Sequence, residues 1–346
     1  MHVCHSAMAL RSTSDLGQQC TASSTPIYVV LSLHTPSLLP HNTKRPGQNQ
    51  LAQPPTRRST TMQLTSPCRH TMPFLVGVAV LVLAAAAARA DGALCDKSDK
   101  AALLAVKSAL GNHPDLSGWN STAPCCAWPG ISCDATTGRV TELTVFALNI
   151  SAPVPAAIAN LTALQTVNLA YNRLYGRIPA FLGPRALPDL TFLRLDGNRL
   201  DGPIPPTATV YDLSVAGNRL TGPLPAAFAG AEFGSVDVAD NQLTGDASVL
   251  FGAGKRVNSV RLSRNRFAFD LGRVELPGAL DILAVDHNMI YGGIPAAAAA
   301  RRWLAFDVSY NNLCGPIPQG RYTHRFGPKH FAPNKCLCGR PLAPCG

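Results

Sequence analysis

Cysteine has the most chemistry open to it in this chain. Cys4, Cys20 and Cys68 fall early, and the other eight form two groups of four with none between them. One group is Cys95, Cys125, Cys126 and Cys133; the other is Cys314, Cys336, Cys338 and Cys345. Four thiolates could hold a zinc ion, but structural zinc sites favour CxxC-type spacing and a reducing compartment. The competing chemistry is oxidation to disulfides, for which an even count in two compact groups is suited. Each group of four allows three connectivities. Adjacent Cys125 and Cys126 are poor partners for each other, and the preferred pairing is Cys95–Cys125, Cys126–Cys133, Cys314–Cys336 and Cys338–Cys345. Among the carboxylates, Asp196, Asp237 and Asp286 could suggest a two-carboxylate hydrolase. They lie in separate segments with no partner acid, and read as exposed carboxylates. His287 is alone in its region and reads as a surface contact rather than a base or metal ligand. There is no P-loop, no G-x-S-x-G and no H-E-x-x-H. No catalytic residue, cofactor or metal is expected, so the chain does not read as an enzyme.

The elements that must carry these residues repeat themselves. Val167–Pro179, Leu193–Pro205, Leu213–Pro225 and Val308–Pro318 share the pattern L-x-L-x-x-N-x-L-x-G-x-I-P. The key position recurs at Leu148, Asn172, Asn198, Asn218, Asn241, Asn265, Asn288 and Asn311, with spacings of 20 to 26 residues. That period and signature define a leucine-rich repeat, in about eight copies over residues 140–318. The expected fold is an α/β solenoid: a right-handed leucine-rich-repeat superhelix with a parallel concave β-sheet and disulfide-bonded caps at both ends. L-x-L alternation points one side chain in and the next out. The Asn turns inward, where its amide can satisfy backbone groups that the bend leaves unpaired. Gly and Pro then turn the chain into an irregular return. A solenoid core is open at both ends and needs caps. Residues 91–139 and 319–346, which hold the cysteines, read as those caps. In the first, Ser98 reads as the N-cap of a helix over 99–110, with Trp119 and Trp128 over the open edge. The fifth repeat (Asp246-Ala247-Ser248) and the sixth (Phe267-Ala268-Phe269-Asp270, without G-x-I-P) predict convex irregularity, not a broken core.

Upstream, residues 1–71 are rich in Ser, Thr, Pro and Gln and read as disordered. Residues 72–90 read as a secretory signal: a basic lead, an apolar run of about fifteen residues and a small-x-small end at Ala88-Arg89-Ala90. Such a run is short for a membrane span. A signal normally opens a chain, so translation is expected to begin at Met72 or Met62. The full net charge is +10. From Asp91 onward, 23 Lys and Arg face 19 Asp and Glu, and the basic residues look dispersed. That near-balance argues against nucleic acid, and against any polyanion as the main target. Asn120, Asn149 and Asn160 open N-x-S/T motifs and are candidate glycosylation sites in an exported chain.

The array Cys95…Trp119…Cys125-Cys126-x-Trp128-x-Gly130-x-x-Cys133, the G-x-I-P repeats and the closing Cys314…Cys336-x-Cys338…Cys345 resemble plant extracellular leucine-rich-repeat proteins. More narrowly, Asp91–Gly346 is similar to the polygalacturonase-inhibiting proteins and to a floral-organ-regulator branch beside them. The resemblance implies location in the cell wall and non-covalent inhibition of pathogen polygalacturonases through the concave strands. It leaves a soluble partner of receptor kinase ectodomains as the alternative, with pectin as another possible contact. The repeat number looks lower than in typical inhibitors. Reading outward positions off each strand gives the candidate partner-binding set: Asn168, Tyr171, Arg194, Asp196, Asp212, Ser214, Asp237, Asp240, Arg261, Arg264, Asp286, His287, Asp307 and Tyr310. A solenoid offers such a surface to one partner at once, and Tyr and Arg are favoured anchors.

Overall fold

The computed structural model describes residues 95–346. The segment 1–71, the expected export signal at 72–90 and the three early cysteines lie outside the described residues.

The N-terminal cap begins with a helix over Lys97–Ala109. Its apolar residues Leu103 and Val106 are fully buried against the first coil. The N-cap is Asp96, not Ser98: its carboxylate accepts the N–H groups of Ser98 and Asp99. A carboxylate both satisfies the free N–H groups and complements the positive helix end, so it outcompetes the serine two residues on. Asp99 is completely buried. It accepts from Arg139 Nε at 2.9 Å, Arg139 Nη2 at 3.1 Å and the Val140 N–H at 2.8 Å. This charge-assisted clamp ties the helix to the first parallel strand. Trp119 stacks on Trp128, with ring centroids 5.7 Å apart.

The alternating apolar residues then build one core. Three residues per coil suffice for a strand, as in Thr166–Asn168, Phe192–Arg194 and Asp212–Ser214. Nine strands from Ile131–Cys133 to Ala305–Asp307 form one sheet, antiparallel only at its first pair. Leu143, Val167, Leu193, Leu213, Val236, Val260, Leu283 and Phe306 stack beneath it, none more than 2% exposed.

Behind the sheet the asparagines stand in register. The Asn198 amide donates to the carbonyls of Leu195 and Asp196 in its own coil and of Leu169 in the preceding one. Its oxygen accepts the Leu174 N–H. The same bonds recur at Asn218, Asn241, Asn265, Asn288 and Asn311. At the first coil, Leu148 has no amide to offer, and Asn172 of the next coil accepts its N–H. The ladder also runs one coil beyond the sequence reading. Asn334, inside the C-terminal cap, donates to Val308 O and accepts the Leu313 N–H.

The returns are more regular than expected. Tyr175–Arg177, Arg199–Gly202, Arg219–Gly222, Gln242–Gly245 and Arg266–Phe267 form a second parallel sheet. The L-x-G part of the repeat is too short to read as a strand alone, and it pairs only because the spine holds neighbouring coils in step. The sheet breaks at the sixth repeat, where buried Phe269 replaces a glycine held at positive φ in neighbouring coils. Beyond the break, Tyr291–Gly292, Asn312–Pro316 and Cys336–Cys338 pair again. The core is unbroken there: Ala247 and Leu271 fill the inward sites and are fully buried. All four disulfides have the preferred pairing, Cys95–Cys125, Cys126–Cys133, Cys314–Cys336 and Cys338–Cys345. Among the described residues, no helix is long and apolar enough to cross a membrane.

Candidate protein-docking face

Strand register sorts the outward residues of the concave sheet into rows. The central row runs Thr144, Asn168, Arg194, Ser214, Asp237, Arg261, Ala284, Asp307, one residue per coil. A row two residues earlier holds Phe192 and Asp212 side by side. Two residues later lie Asp196, Ser263 and Asp286. The residue just before each spine asparagine forms a last row: Tyr171, Gly197, Gly217, Asp240, Arg264, His287 and Tyr310. Every one of these seven has positive φ. Glycine adopts that conformation freely, whereas Tyr, His and Arg hold it at some cost. The spine asparagine that follows fixes the bend and so offsets that cost.

All fourteen candidate residues lie on this face or its rim, and none is fully buried. The structure joins several of them. Arg261 Nε is 4.0 Å from Asp237, and Arg264 Nε is 3.7 Å from Asp240. Asp286 accepts from Ser263 and lies 2.8 Å from His287 Nδ1. The His287 ring stacks on Tyr310 at 4.0 Å. Asn168, Asp237 and Asp307 each accept the N–H two residues on, which closes the strand end. Tyr171 stands apart at the other end, edge-on to Phe146 at 5.5 Å.

The centre of the face is acidic and partly dry. Burial raises Asp237 above the ordinary carboxylate range; the Ala239 N–H and Arg261 oppose the rise, and Asp196 and Asp240 add to it. Burial also raises Asp212, opposed by Arg194 and reinforced by Asp196. Asp196 Oδ1 is itself buried without a hydrogen-bond donor. Asp212 and Asp237, on neighbouring coils, thus share a region that disfavours their charge, with the Asp196 carboxylate beside them. A cationic side chain entering it would relieve both the repulsion and the missing bond.

Three contributors escaped the sequence reading. His330 lies in the cap segment, yet its Nδ1 is 3.0 Å from Asp307 Oδ2. Phe192 and Tyr211, 41% and 51% exposed, mark the entry side of the strands. Phe192 occupies the strand position of Asp212 one coil away, so extending the alternation by one residue would have found it. His330 carried no such signal, because its coil lacks the L-x-L pattern. Asn120, Asn149 and Asn160 are all exposed, at the N-terminal end of the solenoid.

Arg173, Arg199, Arg219 and Arg266 each follow a spine asparagine and are exposed, but the register sets Arg199 beside Tyr175, Arg219 beside Asp201 and Arg266 beside Thr244.

Comparison with known proteins agrees with this architecture. Residues 96–134 match the family model described as a leucine rich repeat N-terminal domain. The chain is 35% identical over 308 residues to "Polygalacturonase inhibitor 1" of Arabidopsis thaliana, spanning 73% of this chain and 93% of that protein. It is 34% identical over 306 residues to "Leucine-rich repeat protein FLOR 1" of the same plant, spanning 72% and 93%. Among solved structures it is similar to a plant ice-binding protein, with 33% identity, a TM-score of 0.58, and coverage of 73% of this chain and 99% of that one. With the capped solenoid, the asparagine spine and relatives matched over nearly their whole length, the chain belongs to the polygalacturonase-inhibitor family of leucine-rich-repeat proteins.

Proposed function

We propose that this is a secreted, wall-located inhibitor of polygalacturonases that covers the enzyme's substrate cleft with its concave face and makes no covalent bond. The observation that carries this reading is the half-buried acidic centre formed by Asp196, Asp212 and Asp237, flanked by Arg194 and Arg261 in one strand row. Such a surface is a preformed receptor for a protein patch that presents Lys or Arg with acceptors beside it. Opposed charges speed and orient docking, while buried charge pairs set the dissociation rate. Tyr171 and Tyr310 at the two ends supply anchors with little rotamer entropy to lose. Glycans at Asn120, Asn149 and Asn160 would leave the strand rows open.

The likeness to an ice-binding protein raises a different use of a regular solenoid, which calls for rows of identical Thr or Asn. Behind the sheet, the residues one and three positions after the spine asparagines read Arg173, Arg199, Arg219, Gln242, Arg266, Met289, Asn312 and Tyr175, Asp201, Thr221, Thr244, Ala268, Tyr291. Neither is such a row. The inhibitor reading is tested by adding purified mature protein, in micromolar excess, to a panel of fungal and insect polygalacturonases and following release of reducing ends. At least one enzyme is expected to slow. If none does, and a pull-down from cell-surface extracts recovers receptor kinase ectodomains, the protein is a recognition module instead.

A further inference from the structure

The irregular returns of the fifth and sixth repeats leave a trough on the convex side. Five and seven residues after their spine asparagines, the third and fourth repeats carry Pro203, Pro205, Pro223 and Pro225. The same positions in the fifth and sixth hold Asp246, Ser248, Asp270 and Gly272. Proline rings are thus exchanged for short acids, a hydroxyl and a glycine, and the neighbouring returns no longer fill the space between them. The result is a cavity of about 470 Å³, a size suited to a small ligand. Tyr291 of the seventh repeat, 49% exposed, also lines it.

The lining divides by chemistry. Phe251 and Phe269, both buried and with ring centroids 6.1 Å apart, form an apolar floor. Asp246, Asp270 and Glu275 supply carboxylates, and Arg273 the one cation. Arg273 Nε lies 3.2 Å from Asp270 and answers that charge. Asp246 accepts the Ser248 N–H. Neither Asp246 nor Glu275 forms an ion pair among the described residues. Nearby Lys255 donates instead to the Phe228 and Ala231 carbonyls. Three carboxylates against one guanidinium leave a net charge of −2 around the apolar floor. The two unanswered acids stand apart along the chain path: Asp246 opens one return, and Glu275 closes the next, where its carbonyl accepts the Gly252 N–H at 2.7 Å.

We infer that this cavity binds a small organic cation, a linear aliphatic diamine or polyamine. Its hydrocarbon stem lies on the phenylalanines, and its ammonium groups meet Asp246 and Glu275. Ammonium–carboxylate hydrogen bonds are charge-assisted, and the Tyr291 ring attracts a cation over its face. A neutral sugar would leave both carboxylates without a counter-charge, and an acidic one would add repulsion. The cavity lies on the return side of the solenoid and shares no residue with the acidic centre. It therefore stands whether or not the protein inhibits polygalacturonases.

The test is calorimetric titration of the mature, disulfide-bonded protein, in an amine-free phosphate buffer, with 1,3-diaminopropane, 1,5-diaminopentane and spermidine. Affinity should rise along the two diamines by about two- to fourfold per added methylene, as the stem covers more of the floor. Asp246→Asn and Glu275→Gln alter exposed side chains and should each weaken 1,5-diaminopentane binding by about three- to tenfold. Ala268→Trp fills the cavity without changing its charge and should abolish binding, with circular dichroism to check that the fold is intact. The inference is overturned if no diamine binds at millimolar concentration, or if affinity follows ligand charge alone with no dependence on stem length. It is equally overturned if all three variants bind 1,5-diaminopentane as the wild type does, or if cellobiose binds and the diamines do not.

Discussion

At the scale of single residues, the acidic centre costs the fold stability. Burial raises the pKa of Asp237 and Asp212 relative to the unfolded chain. A carboxylate with a raised folded pKa favours the fold below its unfolded value and loses that contribution as pH rises through the folded one. Ionised Asp237 is thus a liability at neutral pH. Asp237→Asn, whose side-chain oxygen can still accept the Ala239 N–H, should raise the thermal midpoint at pH 7, and this gain should vanish below pH about 3, where both states are protonated. The same variant should weaken inhibition by about tenfold, the order of one partly buried charge pair. Calorimetry and inhibition titrations read the two effects apart; loss of stability at pH 7 would contradict the account. The fourteen outward residues were legible because L-x-L fixes which side chains face out. Which of them meet was not legible: Asp237 with Arg261, or His287 with Tyr310, are joined by coil-to-coil register, and Asp307 finds His330 in a segment with no repeat signature.

At the scale of elements, the asparagine spine is what turns a sequence period into a geometry. Asn241 donates to Val215, Val238 and Ala239 carbonyls and accepts the Leu220 N–H. Asn241→Ala leaves the Leu220 N–H without an acceptor, whereas the three carbonyls keep the Asn218 amide, the Asn265 amide and the Gly217 N–H as donors, so the change should cost about 1–3 kcal/mol. Urea denaturation would show it as a lower midpoint. Leu148, which occupies the key position without an amide, should tolerate Ala with no loss of spine bonds, only of packing. The spine could be read from spacing alone. The second sheet could not, since L-x-G carries no strand signature, and the helix start was misplaced because Ser98 and Asp96 are both good caps and only geometry separates them.

At the scale of the whole molecule, four disulfides guard the two ends of a core that is otherwise closed only by neighbouring coils. Cys95–Cys125 and Cys314–Cys336 close 30 and 22 residues, whereas Cys126–Cys133 and Cys338–Cys345 close 7 each. Longer loops lose more freedom in the unfolded chain, so the first two should contribute more, about 3 kcal/mol each. Cys314→Ser/Cys336→Ser should therefore lower the midpoint more than Cys338→Ser/Cys345→Ser. Hydrogen exchange should show the loss spreading from the C-terminal coils inward, as expected for a one-dimensional stack.

The unequal coil lengths bear on how such a molecule can change. Successive spine asparagines are 26 residues apart from Asn172 to Asn198 but only 20 from Asn198 to Asn218, while their hydrogen bonds are the same. The six-residue difference is thus absorbed at the back and leaves the register of the strand rows unbroken. A lineage can lengthen or trim its outer rim freely while it selects new contact residues, one coil at a time, on a surface whose spacing stays constant.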